Sequence, residues 1–131
     1  MAPTFNAIGL SVADMATTLA FYRALGLDVP AEADTEQHAE VKLSSGMRLM
    51  WDTHDLLRSI DPDFTPAREP AASLAFECAD ATEVDATWAA MTAAGHHGHR
   101  APWNAVWGQR YAVLHDPDGA SVELYAWLKT V

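Results

Sequence analysis

The chain has 131 residues, of which half are apolar and one fifth are charged, so it is long enough for one globular domain but not for two independent ones. Eighteen acidic residues against eight basic ones give a formal net charge of −10, which argues against nucleic acid as a partner. No apolar run approaches the roughly 18 residues of a membrane helix, and residues 1–5 lack a signal-peptide pattern, so we expect neither a membrane span nor a leader.

The only cysteine, Cys78, cannot form an internal disulfide, which makes the cytoplasm the expected compartment. Its apolar neighbours predict a small buried side chain in a strand rather than a reactive thiol. The negative net charge has two possible interpretations: it favours solubility in general, and it would also favour a cationic ligand.

The first half of the chain is predicted to form a strand, a helix and further strands. Residues 7–14 alternate, with one apolar face formed by Ile8, Leu10 and Val12. Asp14 is expected to cap a helix whose apolar stripe runs from Met15 to Leu25 and which ends at Gly26. Strands are predicted over 39–43 and 47–51, with a further short strand over 26–30. Residues 54–70, rich in Pro and Asp, are predicted to be a linker with one helical turn over 56–60.

The second half repeats this order. Residues 73–80 alternate in the same way and end in the same Ala-Asp pair, so Asp80 is a second predicted helix cap. Thr82 and Asp85 have the spacing of a capping-box variant, and the helix stripe runs to Gly95. Strands over 110–115 and 121–127 flank the turn sequence DPDG at 116–119, and a further short strand is expected over 96–99.

The sequence therefore predicts an α+β fold of two tandem βαβββ modules, over about 4–53 and 71–128, in one domain spanning 1–131. Each module has one helix, which can cover only one face of its sheet. The other face must be covered by the second module, a partner subunit or a ligand. The pattern does not decide whether the modules pair within one chain or between two chains.

Two stretches carry a resemblance to a known family. They are WGQRYAVLHDPDGASVEL at 107–124 and FYRALGL at 21–27. With the duplication, they make the chain similar to the glyoxalase/bleomycin-resistance/dioxygenase (vicinal oxygen chelate) superfamily. The resemblance implies a curved mixed sheet around a cavity and, for a chain of this length, a homodimer with two equivalent cavities.

In the metal-dependent members of that superfamily, four positions converge on one divalent ion, from the first and last strands of each half. Matched by position, the first-strand sites fall on Ala7 and Ser73, and the sites four residues after each turn glycine fall on Met50 and Glu123. Only Glu123 is a ligand for a hard metal, since a methyl cannot coordinate and a thioether suits soft metals. We therefore expect no metal at these positions and no cofactor, which disfavours a metal-dependent glyoxalase or dioxygenase.

Ordinary side chains would then line the cavity. Five tryptophans are present, and Trp103 and Trp107 lie in a stretch without strand alternation, so they either pack on their own sheet or form a wall for a planar ligand. Glu123 is the candidate acidic group, either as a binding carboxylate or as a general base, and its alternative is a satisfied ion pair with Arg48. The remaining candidate ligand-binding residues are Trp51, Arg48, Met50, Tyr111, Tyr125, Ser73 and Ala7. Which face of strand 110–115 lines the cavity is left open.

The histidines have a plainer interpretation. His96, His97 and His99 follow the second helix and are expected in an exposed loop, where a metal would be adventitious. His115 adjoins the DPDG turn and is expected to be exposed, while His38 and His54 could reach the mouth of the cavity.

Three functions are compatible with this pattern. The first is a metal-free small-molecule-binding protein that resembles the drug-sequestering branch of the superfamily, with a planar or cationic ligand. The second is a metal-free lyase, isomerase or glyoxalase-like enzyme with Glu123 as general base. The third is an interaction module, against which the small inward-facing strand residues argue. The sequence identifies neither the ligand nor a reaction.

Overall fold

The computed structural model describes residues 2–129, which form two compact units that divide between Ala67 and Arg68. The first unit combines helices with a three-stranded sheet and the second combines one helix with a four-stranded sheet, which confirms the predicted α+β class. Within residues 2–129, no helix has both the length and the apolar character that a membrane crossing requires.

The first unit follows the predicted order of strand, helix and returning strands. Its elements are β1 (Ala7–Val12), α1 (Met15–Ala24), a 3₁₀ helix (Ala31–Thr35), β2 (His38–Lys42), β3 (Arg48–Thr53) and α2 (His54–Ile60). The sheet order is β1-β3-β2, with β1 and β3 parallel and β2 antiparallel to β3. The helical turn expected over 56–60 is present as part of α2.

Both predicted boundaries of α1 are confirmed. The Asp14 side chain accepts the backbone N–H of Thr17 at 3.2 Å, which satisfies one of the free donors at the helix start. At the other end Gly26 has φ +101°, and the N–H of Leu27 donates to the carbonyl of Tyr22 at 3.1 Å. This is the 6→1 bond of a Schellman motif, which needs a residue that tolerates positive φ.

The prediction of a short strand over 26–30 is wrong. Arg23, in the last turn of α1, donates to the carbonyls of Val29 at 2.8 Å and Pro30 at 2.6 Å, and to the Asp34 carboxylate at 2.7 Å. These bonds hold the segment against the end of α1 and use carbonyls that a strand would offer to a neighbour. The first module therefore contributes three strands rather than four.

The second unit contains the full βαβββ set. Its elements are β4 (Ser73–Glu77), α3 (Ala81–Ala93), β5 (His97–Asn104), β6 (Gln109–His115) and β7 (Ser121–Trp127). The order is β4-β7-β6-β5, with β4 and β7 parallel and the other pairs antiparallel. The additional strand expected over 96–99 exists and is longer than predicted.

The start of α3 is fixed by Asp80 and Glu83. The backbone N–H of Glu83 donates to the Asp80 carboxylate at 2.9 Å, and the N–H of Ala79 donates to the Glu83 carboxylate at 3.4 Å. The capping box predicted from Thr82 and Asp85 is therefore wrong. Asp85 instead accepts two bonds from Arg110 of β6, at 2.9 and 3.2 Å.

The two units place their strand residues in matching registers. Ala7 lies opposite Arg48 and Gly9 opposite Met50, while Ser73 lies opposite Ser121 and Ala75 opposite Glu123. Met50 and Glu123 therefore occupy equivalent places in the two sheets. In each unit one sheet face packs on the helix, and its alternate residues point to the opposite, open face.

Candidate ligand-binding site

The open face of the second sheet is identified by burial along β6 and β7. Ala112 and Leu114 are fully buried on the side where α3 packs, and so are Val122 and Leu124. The alternate residues, which point to the opposite face, are Tyr111, Val113, His115, Ser121, Glu123 and Tyr125. Strand 110–115 therefore presents Tyr111, Val113 and His115 on the face that α3 does not cover.

Four aromatic rings form a continuous cluster on the second unit. Tyr111 contacts Trp103, Trp107 and Tyr125, with ring centroids 5.5, 5.3 and 6.4 Å apart. Trp103 and Trp107 also meet edge to face at 6.1 Å. Such T-shaped and offset pairs are the arrangements that aromatic quadrupoles favour, so the rings support each other's orientation.

The two tryptophans are held by a hairpin rather than an irregular loop. Trp103 belongs to β5, and Trp107 lies in the turn to β6, where Gly108 has φ +93°. The turn is closed by a bond from the Ala105 N–H to the Gln109 carbonyl at 2.8 Å. The Trp107 indole N–H donates to the Gln109 side-chain oxygen at 2.8 Å, which orients a ring that remains 53% exposed.

Arg100 adds a cation to this cluster, and no sequence pattern predicts this contact. Its guanidinium carbon lies 3.5 Å from the Trp103 ring centroid, which is cation–π geometry. The contact depends on the path of β5 at the two register shifts on either side of Arg100. The spacing of residues along the sequence therefore does not predict it.

Glu123 lies in the middle of the open face, with Ala75 and Val113 directly opposite it on the neighbouring strands. Ser121 donates its hydroxyl to Oε1 of Glu123 at 3.3 Å. The other oxygen, Oε2, is buried and has no hydrogen-bond partner among residues 2–129. A buried carboxylate oxygen without a donor is energetically unfavourable, and a ligand N–H or O–H would relieve this.

Tyr111 is the proton-bearing neighbour of that carboxylate. Burial raises the pKa of the Tyr111 phenol above its usual value, and the negative charge of Glu123 and the neighbouring Tyr125 raise it further. The phenol is therefore protonated at neutral pH and can donate a hydrogen bond.

The candidate residues of the first unit lie on its own open face, with one exception. Ala7, Arg48 and Met50 occupy alternate positions of β1 and β3 on that face, and Arg48 donates to Glu40 of β2 at 2.6 Å. Met50 Cε lies 3.6 Å from the position that a Cβ on Gly9 would take, so this side chain lies over the glycine. Ser73 of the second unit is exposed on β4.

Trp51 is the exception. It is completely buried, it points to the face that packs on α1, and its ring lies 5.4 Å from Tyr22. Its place is the core of the first unit rather than a ligand surface. The strand alternation that exposes Met50 necessarily buries its neighbour.

The four inherited ligand positions do not fit a catalytic divalent metal. In the first unit they offer the Ala7 methyl and the Met50 thioether, and in the second the Ser73 hydroxyl and the Glu123 carboxylate. One carboxylate is below the three protein ligands that a catalytic site of this kind normally has.

A polar concavity of about 320 Å³ lies in the first unit, beside the start of α1 and α2, and was not predicted. Its lining includes Asp14, Asp34, Glu36, Asp55 and Arg58. Asp14 caps α1, and Asp34 and Asp55 pair with Arg23 and Arg58, so these groups already have structural partners.

His97 and His99 are exposed, as expected, but their expected placement in a loop is wrong, whereas His96 lies between α3 and β5. His97 and His99 belong to β5, and His115 ends β6 beside them. His99 and His115 stack with ring centroids 4.2 Å apart.

Comparison with known proteins agrees with this architecture. The model of the Glyoxalase/Bleomycin resistance protein/Dioxygenase superfamily matches residues 4–124. No curated protein matches the chain.

Several solved structures resemble the chain over nearly its whole length. A glyoxalase/bleomycin resistance protein/dioxygenase from Nocardioides is 23% identical with a TM-score of 0.75, covering 100% of this chain and 87% of that one. A glyoxalase-related enzyme from Fulvimarina pelagi is 20% identical with a TM-score of 0.79, covering 95% and 88%. A family enzyme from Burkholderia phytofirmans is 18% identical with a TM-score of 0.76, covering 96% and 100%. At these identities the likeness concerns the fold alone.

Proposed function

The chain belongs to the glyoxalase/bleomycin resistance protein/dioxygenase superfamily, and on that premise we propose that it binds a planar, cationic or hydrogen-bond-donating small molecule without a metal, as drug-sequestering members do. The observation that carries the proposal is the buried, unpartnered Oε2 of Glu123 on the same sheet face as Tyr111 and Tyr125. A carboxylate beside aromatic rings suits a ligand that is both flat and positively charged.

Aromatic stacking and a hydrogen bond to the carboxylate would each contribute measurably to the free energy of binding. Stacking on an aromatic ring contributes about 0.5–1.5 kcal/mol beyond the burial of area. A hydrogen bond to a charged group contributes about 1.5–3 kcal/mol. Together with the apolar area of the rings, these terms support binding without a coordinated metal.

The proposal is tested with a panel of planar aromatic cations, such as N-methylquinolinium, acridinium and benzamidinium, titrated into untagged protein. We expect some of them to quench tryptophan fluorescence saturably, because Trp103 and Trp107 contact the Tyr111 ring, which lies on the same sheet face as Glu123. Neutral isosteres of the same shape are the control and should bind more weakly. Equal affinity for the cation and its isostere would remove Glu123 from the proposed site.

A metal-free lyase or isomerase is the second candidate, and the position of Glu123 and Tyr111 on one sheet face favours it. An orphaned carboxylate can accept a proton, and a neighbouring protonated phenol can donate one. Glu123→Gln distinguishes the candidates. Loss of binding alone supports a binding protein, whereas retained binding with loss of a measurable turnover supports the enzyme.

We also propose that the protein is a homodimer, as the family resemblance implies. Large apolar side chains are exposed on the described chain, including Phe5 and Ile60, and association would cover such groups. Sedimentation velocity at micromolar concentration should give the mass of two chains. A monomer under those conditions would contradict this part of the proposal.

A further inference from the structure

The position of β5 in the second unit is fixed by the contact of Gly98 with α3. A Cβ on Gly98 would come within 2.4 Å of the Trp88 ring and 2.9 Å of the Thr92 methyl, so only glycine fits this close approach. Gly98 therefore faces the helix. Its two neighbours, His97 and His99, expose their side chains, and their rings lie beside His115.

Strand pairing brings the third histidine to them. His97 lies directly opposite His115 in the β5–β6 register, with ring centroids 5.3 Å apart. The register shift between Gly98 and Arg100 leaves His99 without an opposite residue and stacks its ring on His115. Each histidine can present one ring nitrogen such that the three nitrogens lie within 4.8 Å of one another.

We infer that His97, His99 and His115 form a binding site for one late transition-metal dication, with Zn²⁺ as the probe ion. Imidazole is a preferred ligand of Zn²⁺, Ni²⁺ and Cu²⁺. Two nitrogens bound to one ion at about 2.0–2.1 Å in tetrahedral geometry lie about 3.3–3.4 Å apart. Closing from at most 4.8 Å thus requires the nitrogens to approach by up to about 1.5 Å and the stacked rings to turn so that their lone pairs converge, and the exposed His97 and His99 have room for this rotation.

Three histidines leave the fourth tetrahedral position of Zn²⁺ to water or to an oxygen or nitrogen donor of a ligand. Such a site would connect the edge strand β5 to β6 and would exchange its ion with solvent, since two of the three ligands are exposed. It shares no residue with the inherited positions Ala7, Met50, Ser73 and Glu123. It also does not depend on the proposed aromatic site.

The test is calorimetric titration of Zn²⁺ into untagged protein purified without a metal column. We expect saturable binding of one equivalent. His97→Ala and His115→Gln should each weaken it by about tenfold or more, since even loss of a residue that only orients a ligand weakens metal affinity by about 10–100-fold. His96→Ala is the matched control, because His96 precedes the triad in sequence and does not belong to it. It should bind within a factor of about two of the wild type.

Absence of saturable binding in the wild type would overturn the inference, as would equal affinity in His97→Ala or an equal loss in His96→Ala. Circular dichroism of each zinc-free variant checks folding. If His115→Gln does not fold, His97→Ala still tests the site, because His97 is exposed on the edge strand and its loss should not disturb the core. Zinc binding should persist in Glu123→Gln and Trp107→Ala, so failure of the metal site and failure of the proposed function are separate results.

Discussion

Tyr111 and Tyr125 lie directly opposite each other on β6 and β7, with their ring planes inclined by 30° and the centroids 6.4 Å apart. Glu123 lies on the same face, two residues before Tyr125. This strand pair therefore brings two phenols and one carboxylate together on a surface that α3 does not cover.

The Tyr111 phenol should ionise above its ordinary pKa of 10.0, because burial and the charge of Glu123 both disfavour the phenolate. Glu123→Gln removes the charge and should lower the pKa of Tyr111 toward the ordinary value. The difference in alkaline ultraviolet titration between each protein and its Tyr111→Phe counterpart isolates this group. A Tyr111 pKa that does not fall in Glu123→Gln would show that the two side chains are not electrostatically coupled.

Trp51→Ala should lower the free energy of unfolding by about 3–5 kcal/mol, because it removes a fully buried ring that packs on Tyr22. Trp127→Ala is the matched control, since Trp127 is 64% exposed, and should change stability by less than about 0.5 kcal/mol. Urea unfolding measures both. Equal losses for the two tryptophans would contradict the placement of Trp51 in the core.

Gly98→Ala should destabilise the second unit by about 1–3 kcal/mol, because the added methyl would overlap the Trp88 ring. Gly9→Ala offers the comparison in the first unit, where the nearest atom to the new Cβ is Met50 Cε at 3.6 Å, an ordinary contact distance. We expect that variant to unfold at nearly the wild-type urea concentration. If both variants unfold alike, β5 does not approach α3 as closely as described.

His38 should make stability depend on pH. Its hydrogen bond to Asp52, 2.6 Å long, raises the pKa of His38 above 6.5. Partial burial lowers this pKa, whereas the negative charges of Asp52 and Glu40 raise it. The stabilisation is therefore complete below pH 6.5 and is lost as the pH rises through the raised pKa of the folded protein. Because His38 is well exposed, we expect at most about 1 kcal/mol. The difference in urea midpoint between wild type and His38→Gln should shrink from pH 6 to pH 8.5; a difference that stays constant would contradict the coupling.

The features that local sequence predicts are those decided by a few neighbouring residues. Asp14 and Asp80 were predictable as helix caps because each bonds a backbone N–H three residues along the chain. The bonds of Arg23 to Val29 and Pro30 were not, since they depend on how the chain returns past the end of α1.

The same distinction applies to the candidate site. Met50 and Trp51 were both candidate ligand-binding residues, although neighbouring residues of a strand point to opposite faces. The sequence did not favour the core for Trp51, because both a core and a ligand surface suit an aromatic ring. The meeting of His97 and His99 with His115 depends on strand pairing and on a bulge, neither of which leaves a local signal. Glu123 was identified by its distance from the turn glycine, yet its orphaned oxygen is a property of the packed structure.

The proposed ligand site is tested most directly by a calorimetric titration of one planar cation from the panel into wild type, Trp107→Ala and Trp127→Ala. Trp107 contacts Tyr111 in the aromatic cluster and is half exposed, so its loss should leave the fold intact while weakening binding about tenfold, the equivalent of about 1.4 kcal/mol. Trp127→Ala should bind as the wild type does. Unchanged affinity in Trp107→Ala, or equal weakening in the two variants, would contradict the claim that this face of the second unit binds the ligand.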